Sequence, residues 1–202
     1  RFITEPGREI ILKHSTFHHN YAFYHAAVLY AKTNSRVEID GCRFSENSLF
    51  DNEPSVYSYG TVIRVKEKNT VIVRNSIFEE HKRPQMSWGH IDIIYQGIEI
   101  EYIGSHRGGV IYSGPFSNMS FTNCTFNNNR ADVGGVAYIE KNSVITFTKC
   151  KFENNTALRS AGAVYLISHG IITFHKCTVN SNSANREYKS LGSSEATDYG
   201  GV

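Results

Sequence analysis

Ile145-x-Phe147-x-x-Cys150-x-Phe152-x-x-Asn155-x-Ala157, running on to Gly162-Ala163-Val164-Tyr165, decides the fold, because the same string recurs along the chain. Two apolar residues alternate with polar ones, Cys or Ser follows three residues on, an aromatic comes two beyond that, and Asn three beyond the aromatic. A small-residue pair and aliphatics then close the unit. The copy upstream, Met119-x-Phe121-x-x-Cys124-x-Phe126-x-x-Asn129-x-Ala131, closes on Gly134-Gly135-Val136. Further copies are anchored by Ser15 and Phe17, Cys42 and Phe44, Ser76 and Phe78, and Cys177 and Val179. A unit this short cannot bury its own apolar face, so it must stack on its neighbours as a solenoid.

The Cys/Ser markers at 15, 42, 76, 124, 150 and 177 lie 27, 34, 48, 26 and 27 residues apart, which sets the basic period at 26 to 27 residues. The interval of 34 is one period with a longer loop through Asp51-Asn52-Glu53-Pro54. The interval of 48 is either one period with a large excursion or two short ones. Apolar residues alternate singly with polar ones in short pieces rich in Val, Ile, Phe, Tyr and Thr, and no stretch keeps a helical period. Three strands fit one unit, around 145–147, 150–152 and 162–166. The expected fold is therefore all-β, a right-handed parallel β-helix of about six or seven coils, one per repeat.

Such a winding lays like residues over one another about 4.8 Å apart. One interior column would run through Phe17, Phe44, Phe78, Phe126 and Phe152 to Val179. A second would run Leu12, Ile39, Val73, Phe121, Phe147 and Phe174, and a third Val28, Val62, Val110, Val136, Val164 and Val202. Asn residues at the matching corner would hydrogen-bond up and down the stack, as in other in-register arrays.

Composition points to one domain, residues 1–202, and excludes some partners. A net charge of +2 gives no nucleic-acid footprint, and no apolar run approaches the ~20 residues of a membrane-spanning helix. The opening at Arg1, without Met or a targeting segment, and the close on Gly200-Gly201-Val202, the start of another small-pair motif, read as a segment of a longer chain or filament.

Cys42, Cys124, Cys150 and Cys177 share one repeat position with Ser15 and Ser76, so the plain reading is a small buried residue. Cys124, Cys150 and Cys177 fall on consecutive coils, where a disulfide is compatible with the spacing although the parallel side-chain directions are not ideal. Zinc ligation by cysteine is disfavoured, since no CxxC or paired His/Cys spacing occurs. His18 and His19, with His14 and His25, resemble a metal cluster. Their positions vary to Ser, Glu or Asn in other copies, so the expectation is loop histidines facing solvent, with no metal and no cofactor. Asp40, Asp92 and Asp132 do not fall at matching repeat positions, as an acid/base pair would require. Lys149, Lys151 and Lys176 make a basic strip that could attract anionic glycans. Asn118, Asn123 and Asn154 head N-glycosylation sequons.

Residues 82–107 depart from the repeat, as an abbreviated coil or a β-hairpin leaving the rod. They carry Trp88, Tyr95 and Tyr102, and an insertion in a regular solenoid is the first place to look for a binding surface. The polar loop 185–199 is nominated on the same ground.

The pairing of Phe17-x-x-Asn20, Phe44-x-x-Asn47, Phe126-x-x-Asn129 and Phe152-x-x-Asn155 with Gly109-Val110-Ile111, Gly135-Val136-Ala137 and Gly162-Ala163-Val164 resembles the polymorphic outer-membrane protein repeat of chlamydial autotransporter adhesins. Similar right-handed β-helix repeats occur in large extracellular proteins of invertebrates and protists. The resemblance implies a secreted or surface-displayed module used in adhesion or as a structural stalk. The expected function is thus non-catalytic and extracellular, with self-association, other extracellular proteins or glycans as partners and end-to-end stacking into fibres. The rival is a carbohydrate-active lyase or hydrolase, since such enzymes share the fold.

Overall fold

The computed structural model describes residues 1–23, 25–51, 58–86, 92–95, 98–101 and 106–184. Among them all regular structure is β, and apart from one hairpin every strand pairs in parallel with its equivalent in the next coil. The chain is a right-handed parallel β-helix. One coil contains Val144–Thr148, Lys151–Glu153, Thr156–Ser160 and Val164–Leu166, four strands where the sequence suggested three. The extra strand is Thr156–Ser160; its residues after the Asn155 corner lack the clean alternation that marks the others.

Register is strict where the pattern is strict. Met119 lies over Ile145 and Phe121 over Phe147, and Ile145 over Ile172 and Phe147 over Phe174. The interval of 48 is a single coil, because Thr70–Arg74 pairs directly with Asn118–Thr122. Its excess length follows Lys82–Met86, which pairs with Ser48–Asp51. The chain rejoins at His106–Arg107, between Ser58–Tyr59 and Val133. Between these points Asp92–Tyr95 and Ile98–Glu101 pair antiparallel, in a two-stranded sheet of their own.

The core is built of columns. Phe17, Phe44, Phe78, Phe126 and Phe152 stack with centroids 4.9, 4.7, 5.2 and 4.9 Å apart and planes within 19° of parallel. Phe121, Phe147 and Phe174 form a second stack and meet the first edge-on, for example Phe147 on Phe152 at 5.0 Å and 83°. Offset and edge-to-face contacts are the arrangements that ring quadrupoles favour. The third column needs a correction. Val136 N–H donates to the carbonyl of Ala163, and Val164 pairs with Ala137 instead. A register shift between Ala131 and Val133 gives the next coil one extra residue and moves Val164 up a place. Val202 lies outside the described residues.

From Gly109 onward, coil spacing leaves no room for a side chain at one point of the turn. A Cβ on Gly109 would stand 2.0 Å from the carbonyl oxygen of Gly135, and one on Gly135 would stand 2.0 Å from that of Gly162. This is the physical reason for the small-residue pair.

The Asn corner is a hydrogen-bonded ladder. Asn155 Oδ1 accepts from the backbone N–H and the Nδ2 of Asn129, while its own Nδ2 donates to Phe126 O at 3.0 Å and Asn182 Oδ1 at 2.7 Å. Asn155 is fully buried, so alanine there strands the Asn129 N–H and the Phe126 carbonyl away from water. An Asn155→Ala variant is expected to lose about 2–3 kcal/mol by urea denaturation, since each orphaned buried group costs ~1–3 kcal/mol.

Candidate functional site

Small-pair strands alternate two inward residues with one outward one, and the outward position is aromatic or cationic in five successive coils. Tyr30, Arg64, Tyr112, Tyr138 and Tyr165 stand in register on the outer face of Leu29–Ala31, Ile63–Val65, Ile111–Ser113, Ala137–Ile139 and Val164–Leu166. Their inward neighbours, such as Leu29, Ile63 and Ile111, are fully buried, so the rod itself fixes the spacing of the strip. Tyr112, Tyr138 and Tyr165 stack at 5.7 and 5.2 Å with planes 11° and 22° from parallel.

Arg64 interrupts the tyrosines. Its Cζ lies 4.3 Å from the Tyr59 ring centroid, 5.3 Å from that of Tyr30 and 5.7 Å from that of Tyr112, within the range of cation–π attraction. It donates from Nη1 to His25 Nδ1, while its Nε is buried without a hydrogen-bond partner among the described residues. Among the described residues no carboxylate pairs with this guanidinium. Burial lowers its pKa from the ordinary arginine value. Nearby, Arg107 lies over Tyr138 at 5.0 Å and Arg1 over Tyr30 at 5.7 Å. Tyr112 donates its hydroxyl to Glu140 Oε1 at 2.9 Å, and burial pushes the Tyr138 phenol up to about 12. Phenols kept neutral beside an uncompensated guanidinium form a surface suited to receive an oxyanion.

The other candidates fare differently. Trp88 and Tyr102 lie outside the described residues, as does the 185–199 loop; Tyr95 lies in the hairpin, paired with Ile98. Cys42, Cys124 and Cys150 are buried and Cys177 partly so, and all four are free thiols, with Cys124, Cys150 and Cys177 on consecutive coils. In-register side chains leave the strand in the same direction, and each sulfur is engaged with a carbonyl, as Cys150 with Phe121 O and Cys177 with Phe147 O. Cys and Ser interchange because either can accept from the coil before: Cys42 N–H donates to Ser76 Oγ and Cys150 N–H to Cys177 Sγ.

Asn118, Asn123 and Asn154 are all exposed, as sequon residues must be. Asn123 donates from Nδ2 to Asn75 Oδ1 at 2.9 Å. Lys149 and Lys176 sit on corners of adjacent coils, whereas Lys151 pairs with Glu153 at 2.7 Å. Asp132 is buried and accepts from the His106 N–H at 2.7 Å, and Asp40 accepts from Asn75 Nδ2. The tyrosine strip has a signal in the sequence: Tyr30, Tyr112, Tyr138 and Tyr165 each follow the valine of a small-pair strand by one or two residues.

The model of the family described as the right handed beta helix region matches residues 2–196. No curated protein and no solved structure matches the chain.

Proposed function

The chain belongs to the right-handed β-helix region family, and from that premise we propose that it is a non-catalytic extracellular rod that holds acidic glycans or other anionic surface polymers against its tyrosine and arginine strip. One observation carries this reading: Arg64 is a partly buried cation ringed by Tyr30, Tyr59 and Tyr112 with no carboxylate partner among the described residues. A bound sulfate or carboxylate would supply the missing charge, and the register would repeat the contact from coil to coil. The FxxN resemblance to surface adhesins and the three exposed sequons support an extracellular setting. End-to-end stacking of coils would extend the same strip along a fibre.

The test is retention of the tag-free chain on an immobilised sulfated polysaccharide beside a neutral one. Retention on the sulfated matrix alone, weakening as salt rises and lost in Arg64→Gln at an unchanged melting midpoint, is the expected result. Equal retention of Arg64→Gln would overturn the role of the strip. Release of soluble sugar products by the native chain would favour the carbohydrate-active enzyme.

A further inference from the structure

We propose that His18, His19 and Glu46 form a binding site for a divalent transition-metal ion of the zinc class. The site is independent of the tyrosine strip. His18 and His19 belong to one coil and Glu46 to the next, 27 residues on from His19. The coil pitch brings them together: His18 pairs in register with Ser45, and the His19 N–H donates to the Ser45 carbonyl.

Strand alternation would send adjacent side chains to opposite faces. The corner prevents this, because His19 has φ of 50° and Glu46 of 48°, which turns the chain so that both imidazoles lie on the outside. Their ring centroids are 3.7 Å apart. His19 Nε2 is 2.9 Å from Glu46 Oε2, and His18 Nδ1 is 4.0 Å from Glu46 Oε1. One ligand atom from each residue falls within 4.8 Å of the others.

Tetrahedral coordination at zinc's bond lengths needs ligand atoms about 3.3 Å apart. The two His–Glu separations bracket that value, and with all three ligand atoms within 4.8 Å of one another, side-chain adjustment of up to about 1.5 Å closes the set around an ion. Two imidazoles and one carboxylate suit zinc and its neighbours, and are poor ligands for calcium or magnesium, which prefer all-oxygen shells. All three side chains are between a third and half exposed, so an ion enters directly from solvent and a fourth position stays open for water or a partner's donor. Glu46 lies 27 residues beyond His19 and joins the two histidines only through the winding of the chain.

The experiment is titration of the tag-free 202-residue chain with Zn²⁺, followed by calorimetry and thermal melting, with Co²⁺ as a spectroscopic probe. One ion per chain, a raised melting midpoint and a tetrahedral Co²⁺ spectrum are expected, with no response to Ca²⁺ or Mg²⁺. His19→Asn and Glu46→Asn introduce the residue found at the same corner at Asn128 and Asn154, so the fold survives, as melting in EDTA checks. Each should weaken binding by more than the roughly 10–100-fold that loss of an outer-shell partner costs. His169→Ala, a remote exposed histidine, should bind as the native chain does. Zinc affinity unchanged in both corner variants, an equal response to calcium, or no binding at all would overturn the site.

Discussion

Phe126→Ala is expected to cost about 3–5 kcal/mol, the range for truncating a fully buried aromatic. The ring has no exposure to solvent and lies between Phe78 at 5.2 Å and Phe152 at 4.9 Å, with Phe121 and Phe147 meeting it at steep angles. A solenoid is poorly placed to refill the gap. The coils above and below are held at the strand-pairing distance by hydrogen bonds such as Thr125 N–H to the Ser76 carbonyl and Lys151 N–H to the Cys124 carbonyl. Collapse would break that ladder, so most of the cavity persists. Urea denaturation of the native chain and the variant measures the difference. A loss under about 1 kcal/mol would mean that the phenylalanines do not form a packed column. Phe126→Leu should recover much of the loss, because most of the buried volume returns.

The second large effect is sensitivity to acid, and it comes from one irregularity in the Asn ladder. Asn20, Asn47, Asn129, Asn155 and Asn182 occupy the corner in their coils, but His81 takes the place between Asn47 and Asn129. Its Nδ1 accepts from the Asn47 N–H at 3.1 Å, which fixes the proton on Nε2, and Nε2 has no partner among the described residues. Complete burial lowers its pKa to about 3. The unfolded chain would bind the proton near pH 6.5 and the folded chain would not.

Stability is therefore unaffected by this group above pH 6.5 and falls as pH drops from there towards 3, because the unfolded state takes up a proton that the fold excludes. The slope approaches ~1.4 kcal/mol per pH unit, or about 3 kcal/mol by pH 4.5. His81→Asn should flatten that part of the profile. It should also stabilise the chain at neutral pH, since the new Nδ2 could bond the Phe44 carbonyl as Asn47 Nδ2 bonds that of Phe17. Urea denaturation of both proteins from pH 8 to 4 is the measurement. Parallel profiles would show that His81 does not govern the response.

Most of the winding could be read from the chain. Fixed spacing between Phe147, Cys150, Phe152 and Asn155 is enough to set a coil, because each residue type answers a local demand: rings fill, Cys or Ser bonds a carbonyl, and Asn bridges to the next coil. The Phe columns follow from that spacing alone. Elements with weaker local demands were harder. Thr156–Ser160 pairs with its neighbours despite an irregular pattern, and its one extra residue shifted Val164 out of the column the repeat suggested. The excursion after Met86 could be dated to one coil only because Thr70–Arg74 and Asn118–Thr122 pair across it.

By itself, then, the sequence determined the fold, the period and the residues that fill the interior, since those are set by contacts repeated every 26 to 27 residues in a one-dimensional stack. The tertiary structure alone decided which outward side chains meet. Arg64 finds Tyr30 and Tyr112 across neighbouring coils, and Glu46 comes beneath His18 and His19, because coil length, corner conformation and bulges together fix what lies one pitch away. Outward residues carry no packing constraint that a repeat would reveal, so their partnerships appear only once the chain is wound.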